Sequence, residues 1–364
     1  MQNTRLIYVA NARFPTQKAH GVQIAQNICE FVRQNVQVTL VVPDRKNDLP
    51  IETPFAYYGL SECSQVVRVW VLDWIDFFKP VGFFVEQITF AFSTFFYLLK
   101  ESQETIIYGR DEFVFALVKL FVPNRKVFYE LHDYPENSCI FWHWLFKKLD
   151  GVISTNNWKR EQLIKIFGVK SEKIIVARNG FMQKDYNISD DKSLHRRELN
   201  LPPDKIIVGY VGKLKTKGAV KGVEEIKETV KLLDKNENVA LEIVTNAPHA
   251  LVPKYLKAFD ILLMPFPDTL HYAHYMSPIK MFEYMAAGRA IIATNLPSIR
   301  EVLNDSNSVL IESSEPRAIA LAIEKLVRDT NLRERLGQNA KRDSHEFTLD
   351  KRVDSIIKFI QDTK

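Results

Sequence analysis

Asp260-Ile-Leu-Leu-Met-Pro-Phe266, a polar loop holding His271 and His274, then Tyr275-Met-Ser-Pro-Ile-Lys-Met-Phe-Glu-Tyr-Met-Ala-Ala-Gly288, then Ala290-Ile-Ile-Ala293 follow one another in the C-terminal half of the chain. The two outer runs are short and apolar, as a strand buried on both faces must be. The middle run opens on Ser277 and Pro278 and closes on Gly288. Serine is a good N-cap, proline is favoured at the first helical position, and glycine stops a helix just past its end. The spacing therefore predicts a helix beginning at Ser277. Strand, helix, strand in this order is a βαβ unit, and βαβ units require a parallel sheet.

The same alternation extends outward in both directions. Apolar runs at 206–211, 239–244, 261–264, 290–293 and 308–311 predict strands, with helices at 223–233 and 316–327. In the latter, Ile319, Ala322, Ile323 and Leu326 fall on one helical face. An earlier series places strands at 6–10, 36–42, 66–71, 105–108, 126–130, 151–154 and 173–176, with helices at 21–33, 112–121 and 158–167. Two such series predict an α/β protein of two Rossmann-like, doubly wound parallel-sheet domains facing a cleft. The expected division is a first domain over 1–182, a polar linker over 183–203 ending Leu-Pro-Pro, a second domain over 204–346, and a last segment, 347–364.

Composition agrees and excludes much. A chain of 364 residues suits two domains at about 150 residues each. With 46% hydrophobic and 26% charged residues it is neither disordered nor low in complexity. The net charge of +5 suits an acidic ligand or a membrane surface and does not call for nucleic acid as a partner. Cys29, Cys63 and Cys139 lie far apart without a CxxC pair, which supports neither a disulfide framework nor a cysteine zinc site and fits a reducing, cytoplasmic setting. No signal-peptide pattern opens the chain. The greasiest stretch, 77–99, is broken by Lys79, Pro80 and Glu86, and its uncharged part from Gln87 falls short of the roughly 20 residues of a spanning helix. Two readings stand open for it: a core helix with an aromatic face, or contact with a membrane or a lipid-linked acceptor at the inner face of the membrane.

The helix after Ser277 carries a chemical clue. A helix N-terminus presents free N–H groups and the positive end of the dipole, which suit a phosphate. Lys280 adds a cation where the dipole disfavours one, and a bound anion would explain it. Glu283 lies three residues on, near Lys280 on the helix surface, and a carboxylate can accept two hydrogen bonds from a ribose diol. Lys213, Lys215, Lys217 and Lys221 share one glycine-containing loop, a cationic wall suited to a diphosphate. The alternatives are a surface ion pair on an ordinary helix and a solvated lysine loop.

Ser277-Pro-Ile-Lys-Met-Phe-Glu-Tyr-Met-Ala-Ala-Gly-Arg-Ala-Ile-Ile-Ala-Thr-Asn-Leu-Pro-Ser-Ile-Arg-Glu-Val-Leu303 resembles the donor-binding segment of glycosyltransferase family 4, retaining enzymes of the GT-B fold. The resemblance covers nearly the whole chain, tightly over 277–303 and loosely before residue 100. It implies that Glu283 binds the nucleotide ribose. The family's first glutamate, which meets the donor sugar, would fall at Tyr275. Val208-Gly-Tyr-Val-Gly-Lys213 resembles the turn whose basic residue meets the donor diphosphate, implicating Lys213; Lys221-Gly222-Val223 matches the second basic site, with Lys217-Gly218 as the alternative. Asn11-Ala-Arg-Phe-Pro-Thr-Gln-Lys-Ala-His-Gly-Val-Gln23 resembles a family turn in which Gly21 would let the backbone approach the donor. Phe128-Tyr-Glu-Leu-His-Asp133 resembles a strand end whose histidine, here His132, reaches the donor sugar; from sequence alone it is equally an interior histidine. Tyr108-Gly-Arg-Asp111 and Ala177-Arg-Asn-Gly180 resemble structural positions, and a last helix over 348–360 fits the family habit of crossing back to the first domain.

The implied reaction moves a sugar from a UDP- or GDP-type donor to the hydroxyl of a sugar or lipid-linked acceptor with retention, for polysaccharide or other glycoconjugate synthesis. Lysines and a helix N-terminus would stabilise the leaving diphosphate. The chain has no D-x-D, so no metal and no cofactor are expected. One rival is a nucleotide-sugar epimerase using Glu130, Asp133 and Asp111; another is a non-catalytic nucleotide-sugar-binding subunit. A dinucleotide dehydrogenase is disfavoured because no GxGxxG follows either opening strand.

Overall fold

The structure, a computed structural model, describes residues 4–75, 79–213, 215–216, 219–220, 222–233, 238–245 and 247–363. It divides into two compact units, 1–177 with 352–364, and 178–351.

The first unit runs β1 (Arg5–Val9), α1 (Ala19–Arg33), β2 (Gln37–Pro43), β3 (Gln65–Val69), α2 (Lys79–Leu99), β4 (Ile106–Gly109), α3 (Glu112–Phe121), β5 (Val127–Leu131), α4 (Ile140–Lys148), β6 (Gly151–Ser154), α5 (Asn157–Lys165) and β7 (Ile174–Val176). Its sheet is wholly parallel in the order β3-β2-β1-β4-β5-β6-β7. Interior strands such as β6 are buried along their whole length, which is why they read as uncharged, largely apolar runs, while β5, equally buried, carries the charged Glu130. The strand order reverses between β1 and β4, where Tyr8 pairs with Tyr108.

Helix α2 settles the first of the two open readings in part. Phe90, Ala91, Phe95 and Leu98 enter the core with Val114, Phe115 and Val118 of α3. Glu86 is buried too, and Asn11 Nδ2 donates to it at 3.3 Å. Because the helix continues through Glu86, Pro80–Leu99 is long and apolar enough to cross a membrane, which corrects the shorter length read from the uncharged part alone. Its other face, with Val81, Phe83, Phe84, Phe92 and Phe96, is exposed.

The cysteine reading is corrected as well. Cys29 on α1 and Cys63 before β3 form a disulfide across 34 residues, with Cα atoms 5.3 Å apart. Wide spacing does not exclude a bond when a parallel sheet sets α1 beside the approach to β3. The inference of a reducing setting from that spacing loses its premise. Cys139 is free and exposed.

The second unit runs α6 (Gln183–Tyr186), α7 (Lys192–Glu198), β8 (Ile206–Val211), β9 (Lys215–Thr216), β10 (Ala219–Val220), α8 (Val223–Leu233), β11 (Val239–Val244), α9 (Val252–Ala258), β12 (Ile261–Met264), α10 (Ile279–Ala287), β13 (Ala290–Thr294), α11 (Pro297–Arg300), β14 (Val309–Ile311), α12 (Pro316–Arg328), α13 (Thr330–Ser344) and α14 (Leu349–Asp362), which passes to the first unit from Arg352 onward. β11-β8-β12-β13-β14 make one parallel sheet, while β9 and β10 form a small antiparallel hairpin.

The stretch 183–203 is no linker. It folds into α6 and α7 as part of the second unit. The Arg196 guanidinium donates to the Ala258 carbonyl at 3.0 Å and to Asp260 at 2.6 Å, and Leu199 and Leu201 pack on the core. Local composition misleads here because the charges are neutralised by residues some 60 positions away. In the first unit, Arg352 of α14 donates to Asn27 at 2.9 Å and to Glu130 at 2.8 Å, and Phe359 packs edge-on against Phe128.

Candidate functional site

In open parallel sheets, ligands bind beyond the carboxyl ends of the strands where strand order reverses. In the second unit that point lies at β8, between β11 and β12. The chain leaves β8 through Gly212, at φ +137°, and Lys213, which is exposed. The backbone angle at Gly212 favours glycine, and the Lys280 ammonium lies 3.0 Å from where a Cβ would stand.

Tyr210, on β8, ties the two lysines into one arrangement. Its hydroxyl donates to the Lys213 carbonyl at 2.9 Å, and its ring lies under the Lys280 ammonium, 3.5 Å from nitrogen to ring centre. Tyr284 stands 5.8 Å from the same ammonium, and its hydroxyl accepts from the Val211 N–H at 3.1 Å, strapping α10 to the end of β8. The cation in the first turn of α10 thus has an aromatic partner within the protein, so its position no longer needs an anion to explain it.

Helix α10 begins later than its sequence implies. Pro278, with φ −75° and ψ 127°, is the N-cap, and Ser277 stands outside the helix. The Ser277 hydroxyl accepts from the Asn179 N–H at 3.2 Å, and the Asn179 amide donates to the Ser277 carbonyl. Through these two bonds Ser277 pins the turn before α10 to Arg178-Asn179-Gly180. Gly288, at φ +70°, closes the helix as its position predicts. The segment before α10 is no simple polar loop. His271–Tyr275 form one π-helical turn in which Tyr272, Ala273 and Tyr275 are buried, with Tyr272 stacked on Phe266 and Tyr275 edge-on to His271.

Glu283, one turn beyond Lys280, is mostly buried. Its Oε1 lies 3.3 Å from Nε2 of His249, which opens a short 3-10 turn after β11. Asp185 of α6 acts on both through its charge. Burial holds the Asp185 carboxyl above the usual range. No group of three or more His, Cys, Asp or Glu among the described residues is placed to hold a metal ion. Lys221 and Lys217 lie outside the described residues, and the Lys215 side chain is likewise not described.

In the first unit, His132 follows β5, and its Nε2 lies 2.5 Å from Glu130 Oε1. Burial and the Arg110 charge push the imidazole down to about 3, so it is neutral at pH 7, donates through Nε2 and leaves Nδ1 for other partners. Glu130 is fully buried, yet Arg352, Arg110 and His132 outweigh its desolvation and hold it well below the usual carboxylate range. Tyr8 and Tyr108 also donate to it. Asp111 caps α3 by accepting from Val114 N–H at 2.8 Å, and burial raises it to about 7. Glu130 and Asp111 are thus committed to holding the fold, and Asp133 is exposed. Gly21 lies inside α1, and the volume its Cβ would occupy is taken by Thr16 and the Tyr58 hydroxyl. Its lack of a side chain thus serves packing within the chain, a reason different from the ligand approach expected of it.

Tyr210, Tyr284 and His249 went unrecognised in the sequence. Tyr210 and Tyr284 sit inside motifs whose glycine, lysine and glutamate drew attention, and nothing in the sequence around His249 marks it. Asn179 stood out only as part of a positional turn.

Residues 205–329 match the family described as "Glycosyl transferases group 1". The putative teichuronic acid biosynthesis glycosyltransferase TuaH of Bacillus subtilis is 23% identical over 201 residues, 50% of each chain. The capsular polysaccharide biosynthesis glycosyltransferase CapM of Staphylococcus aureus is 25% identical over 219 residues, 54% of each. The chain thus spans about half the length of the curated relatives it matches. Anabaena HepE, solved with UDP and glucose, superposes with a TM-score of 0.69 at 17% identity over 99% of this chain and 100% of its own. At that identity the likeness is one of fold: two Rossmann-like units of the GT-B type.

Proposed function

We propose that the protein is a retaining glycosyltransferase of family 4, which moves a sugar from a nucleotide-diphosphate donor to an acceptor hydroxyl. One observation carries the reading. At the strand-order reversal of the second unit, Tyr210 holds Lys213 and Lys280 beside the first turn of α10, and Glu283 follows one turn on. Two cations and the positive end of a helix dipole suit a diphosphate, and a carboxylate at the next turn suits the pentose attached to it. The group 1 family match over these residues and the UDP held by HepE support it.

In the reaction the bond from the anomeric carbon to the diphosphate oxygen breaks, and the acceptor oxygen bonds to that carbon from the same face. The acceptor proton passes to the departing phosphate. Lys213 and Lys280 stabilise the charge that grows on the diphosphate, Lys221 joining them by its motif, without a metal or a cofactor. Ser277 and Pro278 set the start of α10, and Tyr275, buried in the turn before it, stands where the family's sugar-binding glutamate would fall. Neutral His132, oriented through Nε2 by Glu130, offers Nδ1 to a sugar hydroxyl.

The names of TuaH and CapM favour a glycan acceptor. An acceptor carrying a lipid, or a peripheral contact with a membrane, suits the first unit. There the exposed side of α2 adjoins an apolar groove of about 360 Å³ lined by Phe92, Phe113, Leu117, Leu120, Phe141 and Trp144. The epimerase alternative is less well served, since Glu130 and Asp111 are already committed to structure.

Glu283→Ala tests the donor site. A hydrogen bond to a charged group contributes about 1.5–3 kcal/mol, so affinity for UDP or GDP should fall at least tenfold by calorimetry. Unchanged nucleotide affinity would remove the pentose assignment.

A further inference from the structure

We infer that His249 is a positioning residue for nucleotide-sugar binding: it fixes the Glu283 carboxylate in the attitude and electrostatic setting in which that carboxylate receives the donor's pentose. The inference rests on the donor reading above and adds a residue to it.

The geometry comes first. Glu283 leaves α10 with its side chain 13% exposed, and His249, 24% exposed, approaches from a different element to place Nε2 3.3 Å from Oε1. β11, which leads to His249, is the parallel neighbour of β8, with Val244 opposite Val211. The imidazole therefore reaches Glu283 from beyond the same strand ends that present Gly212 and Lys213. With Oε1 engaged by His249, Oε2 and the remaining lone pairs of Oε1 face the task of accepting a vicinal diol. A glutamate held at one oxygen presents the other in a narrower range of directions than a free one.

The surroundings make the contact a matter of charge too. From α6, Asp185 acts on both His249 and Glu283, and Lys184 acts on Asp185. Tyr186, also on α6, is buried and feels Glu283 and Asp185, and its hydroxyl has no hydrogen-bond partner among the described residues. Tyr284 follows Glu283 on α10 and feels its charge. Two carboxylates thus share one imidazole. Burial pulls the His249 pKa down, but the hydrogen bond and charge of Glu283 and the charge of Asp185 outweigh it, and the net direction is up. When His249 is protonated, one of the two negative charges is neutralised. When it loses its proton, both face an incoming dianionic diphosphate. The sign follows: donor binding is favoured by the protonated imidazole and weakens as pH rises through its pKa.

The test uses the full chain and two probes, UDP-glucose and GDP-mannose, whose diphosphates stay fully ionised from pH 6 to 8. Binding is measured by calorimetry across that range for the wild type, His249→Gln, His249→Ala and Glu283→Ala, each first shown to melt cooperatively. Wild-type affinity for the better probe should fall with rising pH, by at most about tenfold per unit for one proton. His249→Gln keeps an N–H donor near the Nε2 position without the charge, so it should bind with a flat pH profile. His249→Ala should weaken binding about tenfold or more, and in turnover raise donor KM more than it lowers kcat. If His249→Ala fails to fold, the His249→Gln profile carries the test.

Wild-type affinity and an unaltered pH profile in both His249 variants, with binding lost in Glu283→Ala, would overturn the role of His249 and leave the donor reading standing. A His249→Gln profile as steep as the wild type's would overturn it equally. Wild-type binding in Glu283→Ala, or no binding of either probe by the wild-type protein, would overturn the donor reading and this inference with it.

Discussion

Tyr210 does at residue scale what no motif around it announces. Its ring carries the Lys280 ammonium and its hydroxyl holds the backbone at Lys213, so one side chain fixes one cation and the main chain from which a second projects. The two functions separate by substitution. Tyr210→Phe keeps the ring and releases the Lys213 carbonyl, whereas Tyr210→Leu removes both. A cation–π contact contributes about 0.5–2 kcal/mol, so Tyr210→Leu should bind the nucleotide roughly 2- to 30-fold more weakly than Tyr210→Phe. Equal affinities in a titration of the two variants would mean that the ring does not position Lys280. Lys213, Lys280 and Glu283 were legible as candidates because a cation in a helix's first turn runs against the dipole and because their motifs resemble a donor-binding segment. Their supports were not, because a tyrosine in a buried strand looks the same whether or not its far end holds a lysine.

At the scale of elements, the strands were the most legible part. Gly151–Ser154, Ile206–Val211 and Ile261–Met264 begin and end where the apolar runs do, since strands covered on both faces favour apolar side chains, and the half-buried edge strand Val239–Val244, which carries Glu242, also falls where its run predicts. Helix starts were less so. Ser277 had the right chemistry for an N-cap, but Asn179, nearly a hundred residues away, claims its hydroxyl and the helix begins at Ile279. Helix α7 was hidden for the same reason, its partners being Ala258 and Asp260. The link from α1 to the approach to β3 through Cys29 and Cys63 is another long-range pairing, and it has a measurable consequence. Closing a loop of this length stabilises a fold by about 3–4 kcal/mol. Reduction should therefore lower the melting temperature of the first unit, on the order of 10 °C for a domain of this size. A melt unchanged by reductant, or by Cys29→Ala with Cys63→Ala, would contradict the bond.

At the scale of the whole molecule, two parallel sheets with different strand orders each reverse at their first strand, β1 in one unit and β8 in the other. The two-domain plan follows from the alternation of apolar runs and helical segments, but the division falls at Ala177, ahead of the charged stretch that composition marks as a connector. A fold of this plan leaves the identity of the ligand to the side chains at the strand ends. In the second unit those side chains, cations at Lys213 and Lys280 and a carboxylate at Glu283, are the ground on which a nucleoside diphosphate is proposed. The direct test is a crystal structure with UDP or GDP bound. The account predicts the diphosphate within hydrogen-bond reach of the Lys213 and Lys280 ammonium groups and the first-turn amides of α10, with the ribose hydroxyls on Glu283. A nucleotide bound elsewhere, with those two lysines and Glu283 untouched, would contradict it.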